Sequence, residues 1–413
     1  METALFIFYL LAFVYLTSAI RFFKLEGLPK WTVPFLFIIK IAAGIAYALF
    51  YKLPQYYVGS DTWRFFRLSL LEKKWILSDP LGFIKDLFVH GYSKSGNIFS
   101  GENSYWNDLK SNILVKLMAV MNIATNDSYY TNIILFNFLF LVGLVALYKV
   151  ASALFTCNKW LLIAGIFLLP STLFWCSGIH KDGLILSATG IIIYWFYKSL
   201  IDRFTPIRSI GILLLLTLIF FLRNYVALAL MPALFCWWLS SIYPAQKFLI
   251  FAGIYLIGII AFFSLPLIIT AADLPAFIVS KHEEFSQLPG GSEVAIRELQ
   301  PNLKSFIIYL PMALDIAFLR PHINEIKNLS YLPAVAEIVL FILLLLIAAI
   351  NYRRVTLSPT GLFLIFYGIS IMLIAGYTIT LSGAIVRYRS FALPFLLLPL
   401  IDGITTRYLN YKK

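Results

Sequence analysis

A few side chains able to move a proton or hold a phosphate stand out from an otherwise apolar chain: Asp61, His180, Lys181, Asp182, Arg223, Arg320, Arg387 and Arg389. Three of them are consecutive, in "LFWCSGIHKDGLIL" (Leu173 to Leu186), with apolar runs on both sides. Arginine forks match two phosphate oxygens at once, and a lysine ammonium adds point charge. A carboxylate such as Asp61 can take the proton of an attacking hydroxyl. Preplaced cations stabilise the negative charge that grows on a departing phosphate. Several cations with one or two carboxylates therefore fit chemistry on a phosphate-bearing lipid, provided that one membrane face gathers them.

The elements that must position these residues are membrane helices. Of 413 residues, 61% are hydrophobic and only 13% charged, and the mean hydropathy of +0.86 excludes an ordinary soluble domain. Apolar segments at about 3–20, 32–51, 131–155, 160–176, 183–201, 209–222, 225–243, 248–271, 332–350, 360–381 and 390–406 predict an all-α, polytopic transmembrane bundle of about eleven spans. Alternation of period two is absent, which disfavours a barrel. No basic residue precedes the first apolar run, so it reads as a retained helix and not as a secretory signal. Cys157, Cys176 and Cys236 suit neither a disulfide framework nor a zinc site. The formal charge of +13 is spread over many short loops. That pattern points to anionic lipid or an anionic substrate, with no nucleic acid.

Lysines and arginines mark the cytoplasmic loops. Arg21, Lys24, Lys30, Lys159, Arg203, Arg208, Lys247, Arg353, Arg354 and the closing "RYLNYKK" all fall inside if the N-terminus is outside and the C-terminus cytoplasmic. The whole chain, 1–413, then reads as a single integral membrane domain with outer loops at 52–130 and 272–304. In the first loop, Trp63, Phe66, Leu70 and Trp75 recur at spacings suited to interfacial helices, and "NILVKLMAVMNI" is a second amphipathic piece. The second loop carries a Pro289-Gly290-Gly291 turn signal. Residues 305–321, with Asp315 and two prolines, read as a half-helix.

Under this orientation all the residues named at the outset lie at the outer face. Each also has a plainer reading. Asp61 could be a solvated loop carboxylate, "HKD" the polar turn of a hairpin eased by Gly178 and Gly183, and Arg387 and Arg389 arginines that snorkel to headgroups. Arg223 resists the plain reading. A turn at "RNY" leaves a short helical arm before it and sets the guanidinium below the surface, where it needs a buried partner or a function.

A carboxylate in the first large outer loop ("YVGSDTWRFF"), amphipathic helices behind it and a many-helix bundle resemble integral membrane glycosyltransferases of the GT-C type. The segments Leu169–Leu186, Tyr309–Pro321 and Gly383–Leu400 resemble those of EpsG-like bacterial membrane proteins of exopolysaccharide and O-antigen assembly. The resemblance implies a polyprenyl-phosphate-linked sugar donor, a glycan or lipid acceptor, and transfer at the outer face of the bacterial cytoplasmic (inner) membrane. Asp61 is then the catalytic carboxylate. Lys181, Arg223, Arg320, Arg387 and Arg389 bind the lipid phosphate, and His180 and Asp182 orient Lys181 or the sugar. Many GT-C enzymes carry a paired acidic motif where this chain has Ser60-Asp61-Thr62, so no cofactor is fixed and a divalent metal stays open. A transporter or flippase for a lipid-linked or anionic substrate is the alternative, and a noncatalytic scaffold a third; charges gathered at helix ends and the lack of half-to-half similarity favour the enzyme.

Overall fold

A computed structural model describes residues 2–57, 59–88, 105–269, 273–288, 297–326, 329–350 and 357–411, the last few side chains and those of 105–108 excepted. The Pro289-Gly290-Gly291 turn, Arg353, Arg354 and the side chains of the closing basic segment lie outside the described residues. The described part is all-α. Its helices, in chain order, are α1 Glu2–Ala19, α2 Thr32–Phe50, α3 Asp61–Ser78, α4 Pro80–Lys85, α5 Tyr105–Thr125, α6 Tyr129–Leu154, α7 Lys159–Phe167, α8 Pro170–Trp175, α9 Lys181–Ile201, α10 Pro206–Leu222 and α11 Asn224–Ile242. There follow α12 Lys247–Ile268, α13 Leu274–Ser286, α14 Leu303–Leu314, α15 Leu332–Ile350, α16 Pro359–Thr378, α17 Ser382–Ser390 and α18 Leu393–Tyr411.

Among the described residues, eight helices (α1, α2, α6, α9, α11, α12, α15 and α16) are long and apolar enough to cross a membrane, and α17–α18, bent by 60°, would make a ninth. Two expected spans differ, for identifiable reasons. Residues 160–176 do not form one helix, because Pro170 can neither donate a backbone N–H nor leave its predecessor helical; α7 stops at Phe167 and α8 is six residues long. Helix α10 has 17 residues, about 25 Å at 1.5 Å per residue, and ends just before Arg223. The half-helix expected at 305–321 is α14, twelve residues followed by a π-helical turn, Asp315–Leu319.

The chain divides into two compact units. The first comprises Met1–Val150 with Leu173–Asn224 and the second Ala151–Thr172 with Tyr225–Lys413. In the first, α3 packs along α5 and α9 along α10, around buried Phe37, Ile133, Phe136, Phe140, Ile185 and Ile192. In the second, α16 packs on α14 and α18 around Phe363, Tyr367, Met372 and Phe395. Apolar residues on the outside of α12, such as Leu249, Ile257 and Leu267, are exposed, as a helix facing lipid requires.

Candidate functional site

Between α8 and α9 the backbone of 176–180 is not helical, so its carbonyls need partners from elsewhere. Three helices of the first unit supply them. Lys40, buried in α2, donates from Nζ to the Cys176 carbonyl at 3.1 Å and to Ser177 Oγ at 2.8 Å. Asn137 of α6 donates to the Ser177 carbonyl at 2.8 Å, and Thr62 of α3 to that of Ile179 at 3.0 Å. The glycines of this stretch answer to packing. A Cβ on Gly178 would stand 2.2 Å from the Tyr47 ring, and one on Gly183, in the first turn of α9, 2.5 Å from Phe140.

The turn ends in His180, buried, with Nδ1 3.0 Å from Oδ2 of the fully buried Asp182. On the other side of that carboxylate, Arg223 Nη2 is 2.5 Å from Oδ1. With the guanidinium against its other oxygen, the Asp182 carboxylate is the acceptor of this pair and the imidazole donates from Nδ1. Nε2 is then turned toward Asp61, whose Oδ2 lies 3.8 Å away. Asp61 opens α3, where the helix dipole favours negative charge, and it accepts from Arg64 Nη2 at 2.9 Å. The Asp61 side chain is 40% exposed, while the Phe65 ring lies over the imidazole, 6.4 Å between centroids. The gap between Oδ2 and Nε2 is too long for a hydrogen bond and too short for an oxygen to sit between the two atoms; a hydroxyl reaching the exposed Asp61 could donate to Oδ2. Lys181, half-buried, follows directly as the first residue of α9.

The second unit has its own polar cluster. After the π-helical turn, Arg320 Nε meets Asp315 Oδ2 at 2.9 Å and Arg320 Nη1 meets Glu325 Oε1 at 2.5 Å. Nε2 of His322 is 2.9 Å from the other Asp315 oxygen. The Arg320 carbonyl accepts from Nη1 of Arg389, a buried residue that lines a narrow apolar cleft with Glu337, Phe318 and Met372. Glu337 accepts from the Ser171 backbone at 2.6 Å. Arg387 is half-buried in α17. His282 of α13, buried, donates from Nδ1 to the Tyr377 carbonyl at 3.0 Å, and its burial lowers its pKa from the ordinary 6.5.

The residues singled out in sequence thus fall into two groups. Asp61, His180, Asp182 and Arg223 meet in the first unit, with Lys181 adjacent; Arg320 and Arg389 meet in the second, whose α17 also carries Arg387. Arg223 has the buried partner that its depth demanded. Lys40, Asn137 and Thr62 escaped the sequence reading, although a lone lysine inside "FLFIIKIAAGIAYALF" is a visible signal. Among the described residues, no group of three or more His, Cys, Asp or Glu is arranged to hold a metal ion. Fold and site together give an all-α protein whose long apolar helices suit a multi-pass membrane protein, with a buried His180–Asp182–Arg223 cluster beside the exposed Asp61 carboxylate. Comparison with protein-family models, curated proteins and solved structures finds no match.

Proposed function

We propose that the protein is a membrane glycosyltransferase or polysaccharide polymerase that uses a polyprenyl-phosphate-linked sugar at the outer face of the bacterial cytoplasmic membrane. The observation that carries this reading is the exposed carboxylate of Asp61 backed by His180, whose ring is fixed by the buried Asp182–Arg223 pair. An acceptor hydroxyl hydrogen-bonded to Asp61 gives its proton to Oδ2, with the His180 ring 3.8 Å away beside it. The hydroxyl oxygen bonds to the anomeric carbon while the bond from that carbon to the lipid phosphate breaks, its electron pair leaving on the phosphate. Lys181 supplies the cation for that charge. Arg223 neutralises Asp182, and Arg320, Arg387 and Arg389 take no step in this scheme.

The reading keeps the N-terminus outside and the C-terminus cytoplasmic, which requires an odd number of spans; eleven result if α7–α8, α10 and α17–α18 each cross, with α14 a half-helix that does not. It sets α3 and α4 in the membrane interface; their exposed Leu68, Leu71, Leu77, Leu81 and Ile84 fit that placement. The test is purified protein in liposomes with a labelled polyprenyl-phosphate sugar and a glycan acceptor. Release of lipid phosphate with formation of a glycosidic bond is expected. Translocation of the labelled lipid without bond formation would support a transporter instead, a reading favoured by the broken helices α7–α8 and α17–α18.

A further inference from the structure

The chemistry above leaves Lys40, a buried charge-bearing group of the first unit, unused. Lys40 stands in the middle of α2 among Phe37, Ile41 and Gly44. An ammonium in such a place is costly unless its donors are occupied. A side chain needed only to fill space between helices would be apolar, and one needed only to cap a nearby carbonyl could be a serine or an asparagine.

Its reach gives it a more specific task. Nζ grips the beginning of the 176–180 turn at two points, the Cys176 carbonyl and Ser177 Oγ. Asn137 holds the Ser177 carbonyl from α6, and Thr62 holds the end of the turn at Ile179. Thr62 is the neighbour of Asp61, so the end of the turn is tied to the helix that carries the carboxylate. The beginning is tied to α2 by Lys40. The backbone between these anchors leads straight into His180, at φ −153° and ψ 160°, before α9 starts.

We propose that Lys40 is a positioning residue for the Asp61–His180 pair: by clamping Cys176 and Ser177 to α2 it sets where the imidazole stands against Asp61 and Asp182. The geometric part holds for any chemistry; that the pair is reactive rests on the proposed function.

The test uses the full-length protein in lipid bilayers with 15N-labelled histidine. The chain has only four histidines, and the His180 signal is assigned with His180→Gln. In the wild type the His180 Nδ1 resonance is expected to be that of a protonated nitrogen bound to a carboxylate. Lys40→Met is expected to mix the tautomers of His180 while the His282 and His322 signals stay in place, and Lys40→Arg, which keeps the donors, to restore the wild-type signal. A His180 spectrum unchanged in folded Lys40→Met would overturn the proposal. If Lys40→Met fails to fold, Ser177→Ala removes one of the two acceptors of Nζ and must move the same signal; no movement there overturns it equally. A moved His180 signal with undiminished sugar transfer would leave the positioning standing and remove the functional reading instead.

Discussion

Nδ1 of His180 lies 3.0 Å from Oδ2 of Asp182, and neither side chain reaches solvent. The carboxylate leaves the ring one tautomer and turns Nε2 to the side where Asp61 is exposed. Replacing Asp182 by Asn keeps the shape but allows the amide NH2 to donate to Nδ1, which moves the ring proton to Nε2. Asp182→Asn is expected to lower sugar transfer by about 10²–10⁴-fold in the protein that folds, and it also leaves the buried Arg223 guanidinium without its carboxylate. Transfer assays at matched protein level check this, and wild-type rates would contradict the assigned tautomer.

Arg223 balances the same carboxylate in a buried setting. Arg223→Leu leaves Asp182 without that guanidinium and is expected to cost about 3–5 kcal/mol of stability. Adding Asp182→Leu removes the uncompensated charge, so thermal unfolding of the double variant should recover most of the loss. If the two losses simply add, the pair is not coupled as described.

The Tyr47 ring fills the space that a side chain at 178 would take. Gly178→Ala is expected to destabilise by about 1–3 kcal/mol through overpacking. In a Tyr47→Val background, where the ring is gone, the same substitution should cost little; an equal cost in both backgrounds in melting experiments would rule out the packing explanation.

How much of this was legible in the sequence depends on whether the signal is local. Helix after helix follows from apolar runs of sufficient length, and the interruptions follow from Pro170 and from the polar residues near 176–182. The adjacency of His180 and Asp182 is likewise visible. The pairing of His180 with Asp61, far upstream, is not, because nothing in either segment specifies which loop a helix end will meet. Lys40 shows the same limit from the other side. Its type and place announce a polar partner, but that the partner is the Cys176 carbonyl and Ser177 Oγ depends on how α2 packs against the 176–180 turn, which neither segment specifies. Loop charges assign the arginines to one inferred membrane face, whereas the fold divides them between two units, Arg223 in the first and Arg320, Arg387 and Arg389 in the second.

His282 gives the second unit an acid sensitivity of defined sign. Burial holds its pKa below the ordinary 6.5, so the unfolded chain binds the proton more readily than the folded one. Its contribution to stability is full above about that pH and is lost as the pH falls toward the folded value. Melting temperatures at about pH 7.5 and about pH 5.5 should therefore fall more for the wild type than for His282→Gln; equal falls would contradict the buried, neutral imidazole.

The account turns on Asp61 as the carboxylate that takes the acceptor proton, with His180 behind it. The most direct measurement is incorporation of labelled sugar from the polyprenyl-phosphate donor by Asp61→Asn, at a membrane level and melting temperature equal to those of the wild type. The account predicts that incorporation falls by about 10²-fold or more. Incorporation at the wild-type rate by folded Asp61→Asn would contradict it.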